Sequence, residues 1–261
     1  MAGYGLFAQV YDKLTENVPY EDIAGYYDRK IKQYGGGSFL ADIGCGTGNL
    51  TARLAKLGYD VIGADASPDM LSIAMNKPHD GVQYICQPMT ELELYGEADV
   101  IVSTLDSINH LADAAEIKRC FEAAAINLRS GGLFLFDVNT IYKHKNVLAE
   151  NTFVYDVDGV YCVWQNCFNP QDNGVDIELV IFAECEDGMY ERMEESFREI
   201  ALPQEQLVSM LESAGFEVLE VREYLTDQPA GENSEKLMFC ARKNDHKILL
   251  SEYNGDTIWE K

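Results

Sequence analysis

The sequence has few of the features that stabilise secreted or membrane proteins. Its seven cysteines are scattered and form no C-x-x-C pair, so neither a disulfide framework nor a zinc site is predicted. No signal peptide precedes them, and no apolar run approaches the roughly 18 residues of a membrane span. A chain of 261 residues can bury a sizeable core without cross-links. The simplest setting is a reduced cytoplasm, with no membrane partner and no bound metal.

Basic residues are also scarce. The chain has 20 Lys and Arg against 44 Asp and Glu, a net charge of −24. Nucleic-acid affinity depends largely on Lys and Arg contacts to phosphates, so this charge repels DNA and RNA. The longest basic cluster, Arg29-Lys30 with Lys32, lies on a predicted solvated helix face. We therefore expect no free nucleic acid as a partner.

Glycine, by contrast, is concentrated in one short stretch. Gly44, Gly46 and Gly48 form a G-x-G-x-G turn between the apolar runs 39–43 and 61–64. A helical pattern follows the turn, so the segment predicts a strand, a loop, a helix and a second, parallel strand. Glycines allow the backbone to turn sharply and to approach a ligand closely.

Two acidic residues flank this turn. Asp65 ends the second strand, 17 residues after Gly48, where a carboxylate can accept hydrogen bonds from ribose hydroxyls. A dinucleotide fingerprint would place a glycine at Asn49. Asp42 would repel a phosphate but suits a cationic group. A ligand with an adenosine at one end and an α-amino group at the other fits both acids, and S-adenosylmethionine has that shape. A glycine turn without a ligand is the alternative.

These residues resemble the class I S-adenosylmethionine-dependent methyltransferases, whose first motif is similar to residues 40–48, LADIGCGTG. The resemblance implies a Rossmann-like α/β fold, a doubly wound seven-stranded sheet whose last strand is antiparallel. It also implies that Asp65 holds the ribose and that Ala66 and Met70 border the adenine. The full set of predicted cofactor contacts is Tyr11, Asp42, Gly44, Cys45, Gly46, Gly48, Asp65, Ala66, Met70, Met89 and Leu105.

Within the family, the chain resembles a bacterial subgroup of small-molecule type. Its Y-D-x-L segment at 11–14 and its Pro19-Tyr20 pair are similar to an N-terminal segment that closes over the cofactor in that subgroup. Tyr11 and Tyr20 either contact a ligand or pack as ordinary aromatics. Many family members carry an Asp-Met pair after the third strand, where this chain has Pro88-Met89. The substitution removes one purine contact and leaves the backbone of Met89.

Three residues are candidates for catalysis. Asp106 and His110 follow a predicted fourth strand at 98–105, in a pattern similar to that of the subgroup. Asp106 either orients the acceptor or accepts its proton, or it caps the next turn. His110 is either a base or a structural histidine, and Tyr20 is the third candidate. None is compulsory, since a sulfonium leaves as a neutral thioether and positioning carries much of the catalysis.

Residues 152–199 are rich in predicted β-strands, whereas strands and helices alternate before them. Asp158-Gly159 and Asp187-Gly188 interrupt alternating apolar and polar residues, which predicts hairpins and four antiparallel strands. The resulting sheet would cover the mouth of the pocket as a lid. Residues 150–200 contain 13 acidic residues against Arg192 and Arg198. This charge either solvates an outer face or selects a cationic acceptor.

We divide the chain into four parts. Residues 1–150 form the cofactor-binding core with an N-terminal helix, including a helix closed by Gly131-Gly132 and a fifth strand at 133–138. Residues 151–200 form the lid and 201–243 complete the core. The tail, 244–261, docks either on the body or on a second subunit of a homodimer.

The predicted activity is transfer of a methyl group from S-adenosylmethionine to an oxygen or nitrogen, in preference to a carbon, of a small-molecule acceptor. A nicotinamide dehydrogenase is disfavoured by Asn49 and by the lack of a Y-x-x-x-K pair. A non-catalytic S-adenosylmethionine-binding module, and a methyltransferase acting on a protein or RNA, are the alternatives.

Overall fold

The computed structural model describes residues 5–78 and 81–244. The α-helices are α1 (Gly5–Leu14), α2 (Tyr20–Gln33), α3 (Asn49–Lys56), α4 (Pro68–Asn76), α5 (Ala114–Asn127) and α6 (Gln204–Ser213). The strands are β1 (Phe39–Ile43), β2 (Asp60–Asp65), β3 (Gln83–Cys86), β4 (Ala98–Ser103), β5 (Leu128–Asn139), β6 (Thr152–Val157), β7 (Val160–Asn169), β8 (Gly174–Glu184), β9 (Tyr190–Ile200), β10 (Phe216–Glu223) and β11 (Lys236–Lys243). Shorter helical segments cover Met89–Glu91, Ser107–His110 and Lys143–Leu148.

The main sheet has seven strands in the order β10-β11-β5-β4-β1-β2-β3. Strand β1 pairs in parallel with both β2 and β4, whereas β11 runs antiparallel to β5 and β10. The predicted doubly wound sheet with an antiparallel last strand is therefore confirmed. The strand order reverses between β1 and β4, and in such sheets a ligand crevice opens at the carboxyl ends of these strands.

Side-chain alternation along the strands builds a core on each face of the sheet. On β5, Phe134 and Phe136 face α5, where they pack against Phe121. Leu133 and Leu135 point the other way, into the cluster under α2 and α3. Both faces are apolar because successive side chains of a strand point to opposite sides and helices cover each side.

Strand β4 is shorter than the predicted strand at 98–105. It ends at Ser103, because Leu105 and Asp106 have φ values of +52° and +57°. Extended pairing cannot continue through two residues in the left-handed region.

The boundary between α5 and β5 also differs from the prediction. The helix ends at Asn127 rather than at Gly131-Gly132, and the strand begins at Leu128. The side chain of Asn127 donates to the carbonyl oxygens of Leu92 and Ala123, which anchors the end of the helix. A Cβ atom at Gly132 would lie 2.9 Å from the carbonyl oxygen of Arg129. The glycines thus permit an irregular start to the strand, where the register with β4 shifts.

Strands β6 to β9 form a separate antiparallel sheet, which we call the lid sheet. Asp158 and Gly159 join the first two strands with φ values of +43° and +75°, as a two-residue hairpin turn requires. The predicted four-stranded antiparallel insertion is confirmed.

Helix α1 lies against the lid sheet and α4. Its Phe7 belongs to one buried cluster with Met70 of α4 and Ile177 of β8. At its end, Lys13 Nζ donates to the carbonyl oxygen of Asp158, at 2.8 Å. The N-terminal helix therefore joins the lid sheet to the main sheet.

Residues 245–261 lie outside the described part of the chain, so the predicted docking of the tail stays a prediction. None of the described helices is long and apolar enough to span a bilayer.

A buried ion pair fastens α2 to the far edge of the main sheet. Nζ of Lys30 lies 2.6 Å from Oε1 of Glu220 and donates to Oδ1 of Asp227, at 2.7 Å. The Lys30 and Glu220 side chains are 2% and 6% exposed. Such charges are costly to bury unless both partners are present.

We expect Lys30→Met to lower the free energy of unfolding by about 2 kcal/mol, since the buried Oε1 of Glu220 would lose its cation while Arg222 stays paired with Oε2. Lys32→Met is the matched control. Lys32 pairs with Asp28 at the surface and its side chain is 69% exposed, so its loss should cost less than about 0.5 kcal/mol. Urea denaturation measures both values. Equal effects at the two lysines would contradict the role assigned to the buried pair.

Candidate active site

The glycine turn follows β1 at the point where the strand order reverses. Gly44, Gly46 and Gly48 have φ values of +72°, +54° and +74°, a region that other residues rarely adopt. A Cβ atom at Gly44 would lie 2.8 Å from the side chain of Ser107, and one at Gly48 would overlap the hydroxyl of Tyr84. At Gly46 a Cβ would meet nothing within 4 Å. The turn therefore presents open backbone surface at Gly46.

Asp65, at the end of β2, ties this turn to the start of α4. Its Oδ2 accepts from the Gly46 N–H at 2.7 Å, and its Oδ1 accepts from the Ser67 N–H at 2.8 Å. Burial raises the pKa of Asp65, and the two N–H bonds act in the opposite direction. Each carboxylate oxygen keeps a lone pair that a ligand hydroxyl can use. Asp65 thus lies against the turn, at the position predicted for the ribose acceptor.

Asp42 lies within β1 and is only 1% exposed. Its Oδ2 accepts from the hydroxyl of Thr51 at 2.7 Å, while its buried Oδ1 has no hydrogen-bond partner among the described residues. Burial, opposed by the Thr51 bond, raises its pKa to about 7. Asp42 is therefore covered in this conformation. An unpartnered buried carboxylate oxygen fits a nearby cationic group.

The residues predicted to lie near the adenine differ from one another in how far they are buried. Ala66 is exposed just after β2, and Met89 lies near the turn, with its Cε 3.0 Å from the position of a Cβ at Gly44. Cys45 is half-buried within the turn, and burial raises its pKa. Met70 is buried in the cluster with Phe7 of α1. Met70 therefore packs the N-terminal helix onto α4.

Leu105 and Asp106 form a strained turn after β4. Both are non-glycine residues with positive φ, which costs of order 1–3 kcal/mol each. Asp137 of β5 stabilises the turn: its Oδ2 and Oδ1 accept from the backbone N–H groups of Leu105 and Asp106, at 2.8 and 2.9 Å.

Asp106 is held by two donors. Lys236 Nζ of β11 donates to its Oδ1 at 2.6 Å, and the Asn139 amide of β5 donates to its Oδ2 at 2.9 Å. Burial alone would raise the pKa of Asp106, but the charges of Lys236, Lys143 and His110 outweigh it, so the pKa lies well below its usual range. An ionised, paired carboxylate of this kind is a weak proton acceptor and a good partner for a positive charge.

His110 and Glu199 come from different parts of the fold and lie close together beside Asp106. His110 follows β4 and its side chain is 35% exposed, whereas Glu199 comes from β9 of the lid sheet and is 3% exposed. His110 Nε2 lies 3.8 Å from Glu199 Oε1, and its ring stacks obliquely near Phe197 at 5.1 Å. We call Asp106, His110 and Glu199 the acceptor cluster.

Helix α1 is bonded directly to the glycine turn. Oδ1 of Asp12 accepts from the Thr47 hydroxyl at 2.6 Å and from the Asn49 amide at 2.8 Å. Its Oδ2 pairs with Lys77 Nζ at 2.6 Å, and Lys77 also donates to the carbonyl oxygen of Thr47. Asn49, the residue that departs from the dinucleotide pattern, therefore anchors the N-terminal helix.

The two N-terminal tyrosines lie on this side of the site. Tyr11 is half-buried; burial raises its pKa above the usual range, and the charges of Tyr20 and Asp106 add to the shift. Tyr20 is buried beneath Arg53, whose guanidinium carbon is 5.1 Å from the ring centre, and burial raises its pKa too. Both phenols are therefore neutral at physiological pH.

Several residues that build this site carry no signal in the local sequence pattern. They come from the N-terminal helix, the segment after β5, the lid sheet and β11, far apart in the chain. They are Asp12, His144, Glu199 and Lys236. Asp137 and Asn139 differ from these, because they end a strand whose carboxyl edge neighbours the glycine turn and whose polar residues are expected on the substrate side.

Comparisons with known proteins agree with this geometry. The sequence model of a family described as a methyltransferase domain matches residues 40–132. A protein of Geobacillus sp. (strain WCH70) that carries a methyltransferase name is 36% identical over 245 residues, which cover 92% of this chain and 99% of the relative.

Solved structures give the same result. An S-adenosylmethionine-dependent methyltransferase from Clostridium acetobutylicum ATCC 824 has a TM-score of 0.82 at 29% identity, covering 92% of this chain and 99% of that one. The sugar N-methyltransferase KedS8 from Streptoalloteichus sp. ATCC 53650 shares the fold, with a TM-score of 0.74 at 21% identity and 93% of each chain covered.

Identity of 36% over nearly the whole length reflects common descent, and the sheet order and the glycine turn agree with it. The chain belongs to the class I S-adenosylmethionine-dependent methyltransferases, and S-adenosylmethionine is its cofactor.

Proposed function

We propose that the protein methylates a nitrogen or oxygen of a small molecule bound at the acceptor cluster. The proposal rests on one observation: the acceptor cluster lies next to the glycine turn. Ser107, next to Asp106, donates from its Oγ to the carbonyl oxygen of Gly44 at 3.2 Å. Charged groups on one side of the turn and open backbone on the other suit a polar acceptor beside a nucleoside. The sugar N-methyltransferase that shares the fold supports an acceptor of small size.

Most of the proposed cofactor-binding residues contact the ligand directly, whereas Asp42 acts on it electrostatically. Asp65 binds the ribose hydroxyls, and the open backbone at Gly46 lies against the ligand. Cys45, Ala66 and Met89 border the purine, where Pro88 cannot supply the usual acid. Asp42 favours the cationic α-amino group by its negative charge, because its Oδ1 is buried and has no partner among the described residues.

When bound, S-adenosylmethionine supplies a methyl carbon activated by a positively charged sulfur. The protein contributes position, which is worth about 7–11 kcal/mol in well-oriented reactions. Asp106 stays ionised and attracts positive charge on the acceptor, because Lys236 and Asn139 hold it. His110 is the group placed to take a proton, since its ring is partly exposed and its Nε2 lies beside Glu199. Tyr11 and Tyr20 close the N-terminal side.

The acidity of the lid is mostly a property of its outer surface. Of the 13 acidic residues in 150–200, eleven are exposed, Glu195 is half-buried and only Glu199 is buried. Charge that faces bulk water is screened within about 10 Å and supports solubility. The preference for a cationic acceptor therefore rests on Glu199 and Asp106, whose carboxylates lie close together beside His110.

Isotope transfer tests the proposed function. We expect the protein, incubated with trideuteromethyl-labelled S-adenosylmethionine and a filtered extract of small metabolites, to transfer the label to a small molecule, seen by mass spectrometry. Heat-denatured protein is the control. Label that appears only in a protein or RNA fraction would contradict a small-molecule acceptor.

Asp65→Ala should weaken binding of S-adenosylhomocysteine, the demethylated product, at least tenfold, or about 1.4 kcal/mol, because the ribose loses its acceptor. Asp60→Ala is the matched control, since Asp60 is an exposed residue at the start of the same strand. Calorimetry measures both affinities, and a thermal melt verifies folding. An affinity within twofold of the parent would remove Asp65 from the ribose site.

Affinity for S-adenosylhomocysteine should rise by up to about tenfold between pH 6 and pH 8 and then level off. Asp42 has a pKa of about 7 in the free protein, so it is mostly protonated at pH 6. A bound cation favours the ionised form, so binding below pH 7 expels a proton. Calorimetry in buffers of different ionisation heat counts that proton. Asp42→Asn should abolish both the slope and the proton release; an unchanged slope would contradict the assignment.

A further inference from the structure

Three side chains from separate parts of the chain meet beside the glycine turn. Asp106 follows β4, His110 lies one short helical segment later, and Glu199 ends the lid sheet. One ligand atom from each lies within 4.8 Å of the other two. His110 Nε2 and Glu199 Oε1 are 3.8 Å apart, which is too far for a hydrogen bond.

Glu199 has an oxygen that the protein does not use. Its Oε2 accepts from the Asn139 amide at 2.8 Å and faces His144 Nε2 at 3.2 Å. Its Oε1 receives no hydrogen bond from the described residues, although the side chain is only 3% exposed. Oε1 is not one of the fully enclosed side-chain atoms that lack a partner in the described part of the chain, so it reaches the surface of the site. A donor on a ligand can therefore bond to it.

Asp106 also has unused capacity. Each of its oxygens accepts one bond, from Lys236 and from Asn139, whereas a carboxylate offers about four acceptor positions. The Asn139 amide donates to both Asp106 and Glu199, and this shared donor fixes the two carboxylates relative to each other.

Charge, rather than spacing, favours an ammonium ion over a metal ion. The 3.8 Å between His110 Nε2 and Glu199 Oε1 lies between the roughly 3.0–3.5 Å expected around zinc or magnesium and the roughly 4.6 Å expected around an ammonium. The Lys236 ammonium, 2.6 Å from Asp106, repels a divalent cation more strongly than a singly charged ion.

Building on the proposed methyl transfer, we propose that Asp106, His110 and Glu199 bind the primary ammonium group of the acceptor, so that the protein is an N-methyltransferase of amines. The three N–H groups of the ammonium match the three acceptors. An alcohol brings one donor and would leave two of the three acceptors without a bond to the ligand, whereas a site built for several N–H donors favours the amine.

The proton and electron balance is simple. One N–H bond of the ammonium breaks and its proton moves to His110 Nε2, leaving the electron pair on nitrogen and an imidazolium beside Glu199. Inversion at nitrogen turns this pair away from His110. The pair then forms the new N–C bond while the C–S bond of the sulfonium breaks and its electrons remain on sulfur. The nitrogen gains the positive charge that sulfur loses.

A titration with a minimal probe tests the ammonium site. Methylammonium chloride is added to the protein saturated with S-adenosylhomocysteine, and the ring ¹⁵N signals of His110, assigned with His110→Gln, report binding. We expect a saturable shift with methylammonium, none with methanol or sodium chloride, and at least tenfold weaker binding in Glu199→Gln.

Glu178→Gln is the matched control, an exposed glutamate of the same lid sheet, and it should bind the probe as the parent does. Calorimetry with S-adenosylhomocysteine checks that each variant keeps its cofactor site. The proposal is overturned by equal responses to methylammonium and sodium chloride, by unchanged binding in Glu199→Gln, or by a response to Mg²⁺ or Zn²⁺ without one to methylammonium.

The isotope-transfer experiment distinguishes a failure of the amine site from a failure of the proposed methyl transfer to small molecules. A matched pair of glucosamine and glucose, added with other amine and alcohol pairs, should give labelled products on the amines alone. Products labelled only on hydroxyl groups would overturn the amine site and leave the small-molecule function intact. If no small molecule is labelled, the proposed function fails, and the methylammonium titration decides whether the ammonium site exists.

Discussion

The carboxylate of Asp137 is the constraint on which the rest of the site depends. It is buried among the strands, accepts the N–H groups of Leu105 and Asp106, and lies 3.2 Å from Lys236 Nζ. Without these bonds, nothing would offset the backbone strain of two consecutive non-glycine residues with positive φ. Because the turn is held, Asp106 faces Lys236 and Ser107 reaches Gly44. One side chain therefore sets the spacing between the acceptor cluster and the cofactor turn.

Local patterns were sufficient to predict the strand, glycine turn, helix and parallel strand at residues 39–65. The glycine spacing, the apolar runs on either side and the acid after β2 lie within 30 residues, and each constrains the others through backbone geometry. The hairpin turns of the lid were equally readable, since Asp158-Gly159 encodes its own conformation. These features depend on neighbours in the chain, which a single sequence displays directly.

The contacts within the acceptor cluster could not be predicted from local patterns. Glu199 and Lys236 acquire their roles from partners that are 60 and 130 residues away, and no periodicity records such a meeting. Net charge was a poor guide, because it counts exposed and buried carboxylates alike, and only Glu199 of the lid is buried. The misplaced end of α5 has the same cause: the Asn127 side chain bonds to the distant Leu92 and stops the helix before the glycines that seemed to close it.

Helix α1 is fastened near its C-terminal end by two adjacent residues: Asp12 bonds to Thr47 and Asn49, and Lys13 bonds to Asp158. A movement that uncovers the glycine turn must therefore pull on the lid as well. One short helix thus couples the glycine turn mechanically to the lid sheet.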